Sequence, residues 1–176
     1  MYKRYYDILD KKDHDFLFNE LIYSNNWQFN GISEVTPDFN IIEPDVNPLW
    51  YHPLEHVEYV TEYLFSRIKE LIGSNYKLHY VYANGQTRGQ DGDWHTDNKA
   101  ATQVTHTFLY YSNPVWRQEW GGQTLFENDL EKAVAYVPNS GILFDANMRH
   151  LGMGPAAGYA GLRTTIAFKL EEEKKE

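Results

Sequence analysis

The chain has 176 residues, a formal net charge of −9, 16% aromatic residues and no cysteine. Its length fits a single domain with a sizeable core, and without cysteine there is no disulfide framework, thiolate zinc site or thiol nucleophile, so any metal must be held by His, Asp, Glu or water. The acidic balance offers no basic face to phosphate backbones, which argues against nucleic acid as a partner.

The start, MYKRYYDILDKKD, lacks the apolar stretch of a secretory signal, and no run approaches the length of a membrane span. A soluble, cytoplasmic protein with no membrane partner is expected. Asp13 can cap a first helix carrying Phe16, Leu17, Leu21 and Ser24, which Asn25-Asn26 would stop. The stretch from Gly31 to His52 holds three prolines and reads as a long loop or a mixture of turn and strand. Pro53 fits the first turn of a second helix, with Leu54, Val57, Val60, Leu64, Ile68 and Leu71 along one stripe until Gly73. Within it, His56-x-Glu58 does not share a face and is expected at the surface.

From Tyr76 onward the helical period disappears. Segments rich in Val, Tyr, Thr and Phe take over: Lys77 to Ala83, Gln103 to Tyr111, Gln123 to Phe126, Ala133 to Val137, Gly141 to Phe144 and Leu162 to Leu170. Asn-Gly, Asn-Pro, Gly-Gly and Pro-Asn-Ser-Gly lie between them, so this part predicts an antiparallel sandwich or barrel with the helices packed outside. The closing run Glu171 to Glu176 reads as a solvated tail.

Chemistry gathers in DGDWHTDNK, residues Asp91 to Lys99. On an extended segment residues i and i+2 project to one side, so His95 and Asp97 can reach one ion. His150, in ILFDANMRHLG, is the best third ligand if the chain returns beside that pair. Two imidazoles and a carboxylate on one face leave the opposite positions open, as suits Fe(II) enzymes that activate dioxygen, although a zinc hydrolase could use the same ligands. A calcium loop through Asp91, Asp93 and Asp97 fails, because its glycine is missing and Thr102 stands where the distal glutamate belongs. His106 shares a strand face with Val104, Phe108 and Tyr110 and is expected to be structural. In LRTTIAFKL the period of two places Arg163, Thr165, Ala167 and Lys169 on one face and Thr164, Ile166, Phe168 and Leu170 on the other. Either the first face points outward and Arg163 is solvated, or it points into the barrel and the guanidinium grips a carboxylate.

The ordered series YANGQ, WHTD, FLYYSNP, WGGQTLF, VPNSGILFDA, RHLGMGP and GLRTTIAFKL resembles the Fe(II)- and 2-oxoglutarate-dependent dioxygenases, in particular their prolyl 4-hydroxylase-like group with bacterial and viral members. The resemblance covers about Leu78 to Leu170. It implies a double-stranded β-helix (jelly-roll, cupin-like) core over residues 76–170, which with the helical N-terminal support read over 1–75 and the charged tail 171–176 makes a mainly β, α+β fold. It further implies that His95, Asp97 and His150 ligate Fe(II), that Arg163 holds the distal carboxylate of 2-oxoglutarate with Thr165 beside it, and that the Tyr82 hydroxyl assists with that carboxylate. Dioxygen would be the oxidant, ascorbate a reductant, and a Pro-containing peptide or protein the substrate of a monomer or weak homodimer; for a viral chain the compartment would be the host cytoplasm. Gly121 and Gly122 match a turn with an architectural role. Trp94, Trp116, Trp120, Tyr110 and Tyr111 are candidates to line a groove for the peptide. Collagen-type relatives commonly carry lysine where this chain has Arg163, and the stretches from His150 to Arg163 and from Gly85 to Trp94 are longer than in many relatives, which points to altered substrate shape at the mouth. A free amino acid or small metabolite is the alternative substrate, a metal- or 2-oxoglutarate-binding module without turnover the alternative class.

Overall fold

The computed structural model describes residues 2–31, 47–98, 103–127 and 133–173, the side chains of Asn30 and Gly31 excepted. Its main layer is a seven-stranded antiparallel sheet built from β1 (Lys3–Tyr5), β2 (Gln28–Gly31), β3 (Leu49–Pro53), β4 (Tyr76–Gln86), β5 (His106–Tyr111), β7 (Ser140–Asp145) and β9 (Arg163–Glu172). The strands lie in the order β1-β7-β5-β9-β4-β3-β2. A smaller sheet pairs β6 (Thr124–Phe126) with β8 (His150–Gly152), and single bridges from Val134 to Thr124 and from His95 to His150 widen it on both sides. Two antiparallel layers that roll around one interior form the double-stranded β-helix expected from the motif series.

The alternation in β5 and β9 sorts side chains between the two faces. Phe108, Tyr110, Ile166, Phe168 and Leu170 point away from the smaller sheet and meet Leu17, Leu21, Val60, Leu64, Phe65 and Ile68 of the helices in one buried cluster. The opposite face carries Thr107, Leu109, Arg163, Thr165, Ala167 and Lys169, which line the interior between the layers. A second cluster, Tyr111, Phe126, Val134, Tyr136, Ile142 and Phe144, closes one end of that interior.

The N-terminal region does more than support the core. Besides helix α1 (Lys11–Ile22) it supplies β1, β2 and β3 to the main sheet. These strands of three to five residues are too short to show a period, and β3 is flanked by Pro48 and ends on Pro53. Pro53 therefore closes a strand opposite Tyr82 rather than opening a helix. The second helical segment starts later, as a π-helical stretch over Tyr59–Leu64 that continues into α2 (Phe65–Ile72) and stops at Gly73. Of the expected stripe, Leu54, Val60, Leu64 and Ile68 are buried whereas Val57 and Leu71 are exposed. Helix α1 is capped by Asp10, whose carboxylate accepts the Asp13 N–H at 2.8 Å, one turn earlier than the sequence suggested.

Asn84-Gly85 is not a turn but the interior of β4, where a Cβ at Gly85 would meet Leu162 at 2.9 Å. Ala133 to Val137 contributes only the bridge at Val134. The acidic tail begins later than its composition suggests, since Glu171 and Glu172 extend β9 opposite Lys77 and Tyr76. Part of the expected loop from Gly31 to His52, and Thr102, lie outside the described residues.

Candidate active site

Residues 92–98 run antiparallel to 146–152 and are held by backbone hydrogen bonds, with the Asn98 side-chain amide donating to Asn147 Oδ1 at 2.9 Å. His95 and His150 exchange N–H···O bonds of 3.0 and 2.9 Å, Asp97 N–H donates to Ala146 O at 2.9 Å, and Gly92 N–H to Gly152 O at 2.9 Å. This ladder brings the two imidazoles to 4.3 Å between ring centres. One ligand atom from each of His95, Asp97 and His150 lies within 4.8 Å of the others, so the structure brings the three expected ligands together.

The protonation pattern follows from the partners. Each Nδ1 faces a carbonyl oxygen, Asp93 O at 2.8 Å for His95 and Met148 O at 2.9 Å for His150. A carbonyl only accepts, so Nδ1 carries the proton and Nε2 is the basic nitrogen. Both Nε2 atoms face Asp97, at 3.6 Å from Oδ1 for His95 and 3.7 Å from Oδ2 for His150. Burial lowers the His150 pKa to about 4 against the opposing pull of Asp97, which keeps the ring neutral at pH 7 as a metal ligand requires. Burial pushes the Asp97 carboxyl up, but the charge of Lys169, then His150 and His95, outweigh it and hold it well below the usual carboxylate range.

Lys169 shares the strand face of Arg163, and the sequence pattern by itself gives it no role. It is buried, its Nζ 2.5 Å from Asp97 Oδ2, and the Thr107 hydroxyl donates to the same oxygen at 2.5 Å. The signal was legible in part, because a lysine on a pocket face needs an anionic partner; which carboxylate it meets depends on the packing of β5 and β9 against the residues 92–98 segment.

Arg163 opens β9 at the other side of the same cavity and is 1% exposed. The inward reading is therefore the observed one. Its Nε donates to Gly122 O at 2.9 Å, its Nη1 to Gln86 Oε1 at 2.5 Å, and its guanidinium lies 5.2 Å from the Tyr136 ring centre. Among the described residues no carboxylate is a partner, and Nη2 is buried without a hydrogen bond. Burial accordingly lowers the pKa of the guanidinium, with only distant help from Tyr136, Tyr111 and Asp91. A buried unpaired N–H of a charged group is costly, and an incoming carboxylate would satisfy it.

Gln86, within the YANGQ motif but unassigned, is thus the residue of β4 that holds Arg163, in register with it. Tyr82 is four residues back along that strand, opposite Ala167, and its ring centre is 5.6 Å from Lys169 Nζ. Both Tyr82 and Thr165 line the cavity. Gly122 is more than a bend: its φ is +74°, and a Cβ there would come within 2.9 Å of Trp116 and 3.1 Å of Arg163 Cδ. The cavity encloses about 500 Å³, counting the open space at its mouth, and Leu49, Leu109, Phe144 and Ala167 give it apolar walls.

The aromatic groove takes a different form. Tyr110 and Tyr111 are fully buried in the two clusters, and Trp116 stacks on Tyr136 at 4.3 Å and packs with Trp120 and Tyr159. Trp116 and Trp120 are half-buried beside the 3₁₀ turn Gln118–Trp120, none of whose residues is buried. His106 is half-buried edge-on to Tyr76, in keeping with a structural role, and His56 and Glu58 are exposed.

No protein-family model matches the sequence, and no curated protein matches it. Solved structures do. A prolyl hydroxylase from Trichoplax adhaerens, in complex with a hypoxia inducible factor oxygen degradation domain peptide fragment, superposes with a TM-score of 0.72 at 19% identity, over 97% of this chain and 83% of that one. A 2OG-Fe(II) oxygenase family oxidoreductase from Burkholderia pseudomallei gives 0.68 at 10% identity, over 98% and 86%. The viral collagen prolyl hydroxylase of Paramecium Bursaria Chlorella virus-1, as its 2OG complex, gives 0.59 at 15% identity, over 98% and 96%. The chain therefore has the double-stranded β-helix fold of the 2-oxoglutarate–Fe(II) oxygenases, with a His-Asp-His group that can hold a divalent metal in its interior.

Proposed function

We propose that the protein is an Fe(II)- and 2-oxoglutarate-dependent dioxygenase that hydroxylates a C–H bond, with a prolyl residue of a peptide as its substrate class. One observation carries the reading: His95, His150 and a buried arginine whose Nη2 has no hydrogen bond among the described residues line the same cavity, with Asp97 beside the two imidazoles. Nη2 is the donor that an incoming carboxylate would satisfy.

The residues divide the work. His95, Asp97 and His150 are the ligands of the ferrous ion, donating two neutral nitrogens and a carboxylate oxygen. Arg163 takes the far carboxylate of 2-oxoglutarate through Nη2, while Gly122 O and Gln86 Oε1 fix the guanidinium plane in advance. Thr165 and Tyr82 line the space between. The apolar walls exclude water from the reacting centre. When bound, the metal and its cosubstrate supply dioxygen activation coupled to oxidative decarboxylation, which releases succinate and carbon dioxide. Ascorbate as a reductant, the cytoplasmic location and the monomer or weak homodimer belong to the same reading. Among the described residues no helix is long and apolar enough to cross a membrane.

The peptide assignment is supported by the Trichoplax neighbour, which holds a peptide. It is also supported by an open groove beside the mouth, lined by Phe29, Asn47, Pro48, Gln90 and Asp91. The test is succinate release with Fe(II) and 2-oxoglutarate, run with Pro-containing peptides, with free amino acids and without substrate, and read by mass for a gain of about one oxygen atom. His150→Ala should abolish turnover and metal binding, and Arg163→Ala should weaken 2-oxoglutarate with metal affinity nearly unchanged. Equal loss of metal in both variants would overturn the division of roles. Oxygen gained only by free amino acids would move the substrate to that class, and tight metal binding with no succinate would leave a binding module.

A further inference from the structure

Lys169 lies opposite Thr107 in β5, and its side chain is 4% exposed. Its Nζ touches Asp97 Oδ2 at 2.5 Å and Thr107 Oγ1 at 3.3 Å, under the ring of Tyr82. Oδ2 thus receives two short donors, from Lys169 and from the Thr107 hydroxyl. Oδ1 lies 3.6 Å from His95 Nε2, and Oδ2 is itself 3.7 Å from His150 Nε2. A divalent ion and this ammonium group would share one carboxylate, an arrangement that costs the ion part of its attraction.

Among the described residues, the formally charged side chains that line the cavity or bond to its lining are Asp97, Lys169 and Arg163, one anion against two cations. Arg163 accounts for one carboxylate of a 2-oxo diacid. Lys169 leaves a second positive charge at the metal end.

We propose that Lys169 is a positioning residue that competes with the metal for Asp97 through Oδ2, weakens metal binding, and strengthens binding of the anionic cosubstrate beside the metal. The inference rests on the functional reading above. A charge this close changes a carboxylate's affinity for a proton by about one to three orders of magnitude, and the same field acts on a divalent cation. Without Lys169, Asp97 becomes a buried carboxylate with no counter-ion, and a metal ion is the partner that neutralises it.

The experiment titrates Co(II) into metal-free protein by its visible absorption, then titrates N-oxalylglycine, a non-reacting 2-oxo diacid analogue, into the Co(II) form. Lys169→Met should bind Co(II) about tenfold or more tightly. It should also bind the analogue more weakly and show an altered d–d spectrum as Oδ2 loses its ammonium partner. Lys169→Arg, which keeps the charge, should stay near wild type. Lys169→Gln carries the same expectations if the Met variant fails to fold. Unchanged affinities in Met and Gln, or Co(II) loss matching Asp97→Ala, overturn the inference while wild-type binding of both ligands leaves the functional reading standing. A wild type that binds neither Co(II) nor the analogue overturns the functional reading and the inference with it.

Discussion

Replacing Arg163 by methionine separates what the guanidinium does for the fold from what it does for a ligand. Among the described residues the ligand-free group has two hydrogen bonds, to Gly122 O and Gln86 Oε1, one aromatic face, and an Nη2 with no partner. Hydrogen bonds to charged groups contribute about 1.5–3 kcal/mol each. Against them stands a desolvation cost of several kcal/mol for a buried charge without a counter-ion. The two nearly cancel, so Arg163→Met should change ligand-free stability by no more than about 2 kcal/mol, despite removing one of the largest fully buried side chains. The response to ligand should differ sharply. A cosubstrate present at 100 times its Kd stabilises the native state by about 2.7 kcal/mol, which for a chain of this length raises Tm by about 5–11 °C. Thermal unfolding of the Mn(II)-loaded protein, with and without 2-oxoglutarate, should show that rise in wild type and lose most of it in Arg163→Met. A full rise in the variant would refute the assignment of the carboxylate to this arginine.

Three further outcomes are expected. Gly122→Ala places a Cβ at positive φ and within 2.9 Å of Trp116 and 3.1 Å of Arg163, so 2-oxoglutarate affinity in a fluorescence or calorimetric titration should fall while metal affinity holds. Gly141→Ala drives a Cβ to 2.4 Å from the buried Phe108 ring and should lower stability by about 1–3 kcal/mol in denaturant titration; an unchanged midpoint would show that the ring can move aside. The His150 pKa of about 4 lies below its unfolded value, so the neutral ring stabilises the metal-free fold above pH 6.5 and that contribution is lost as pH falls toward 4. It amounts to about 3 kcal/mol, with His14, whose pKa burial also lowers, adding in the same direction. A flat Tm between pH 7 and 4.5 would contradict this.

Much of the site was legible because it depends on local order. The i, i+2 relation of His95 and Asp97 survives as written, and the period of two in β9 sends Arg163, Thr165, Ala167 and Lys169 inward together. The rest depends on residues distant in the chain. Gln86 reaches Arg163 across 77 positions and Lys169 bonds Thr107 across 62, through strand register that no motif spacing encodes. The aromatic residues show the same limit: Trp116 and Tyr111 look alike to a groove or to a core, and only the packing of the folded chain buries Tyr111 fully while leaving Trp116 half-buried against Tyr136 and Tyr159.

By itself the sequence determined which side chains alternate to one face, which segments are strands or helices when they are long enough to show a period, and that a metal here must be met by imidazole and carboxylate. Tertiary structure decided the partners: β1, β2 and β3 joined the sheet because edge pairing needs only three to five residues, and Asp97 acquired Lys169 because two strands and a loop converge. Periodicity is a property of neighbours along the chain, whereas burial and charge pairing belong to whatever the folded chain brings into contact.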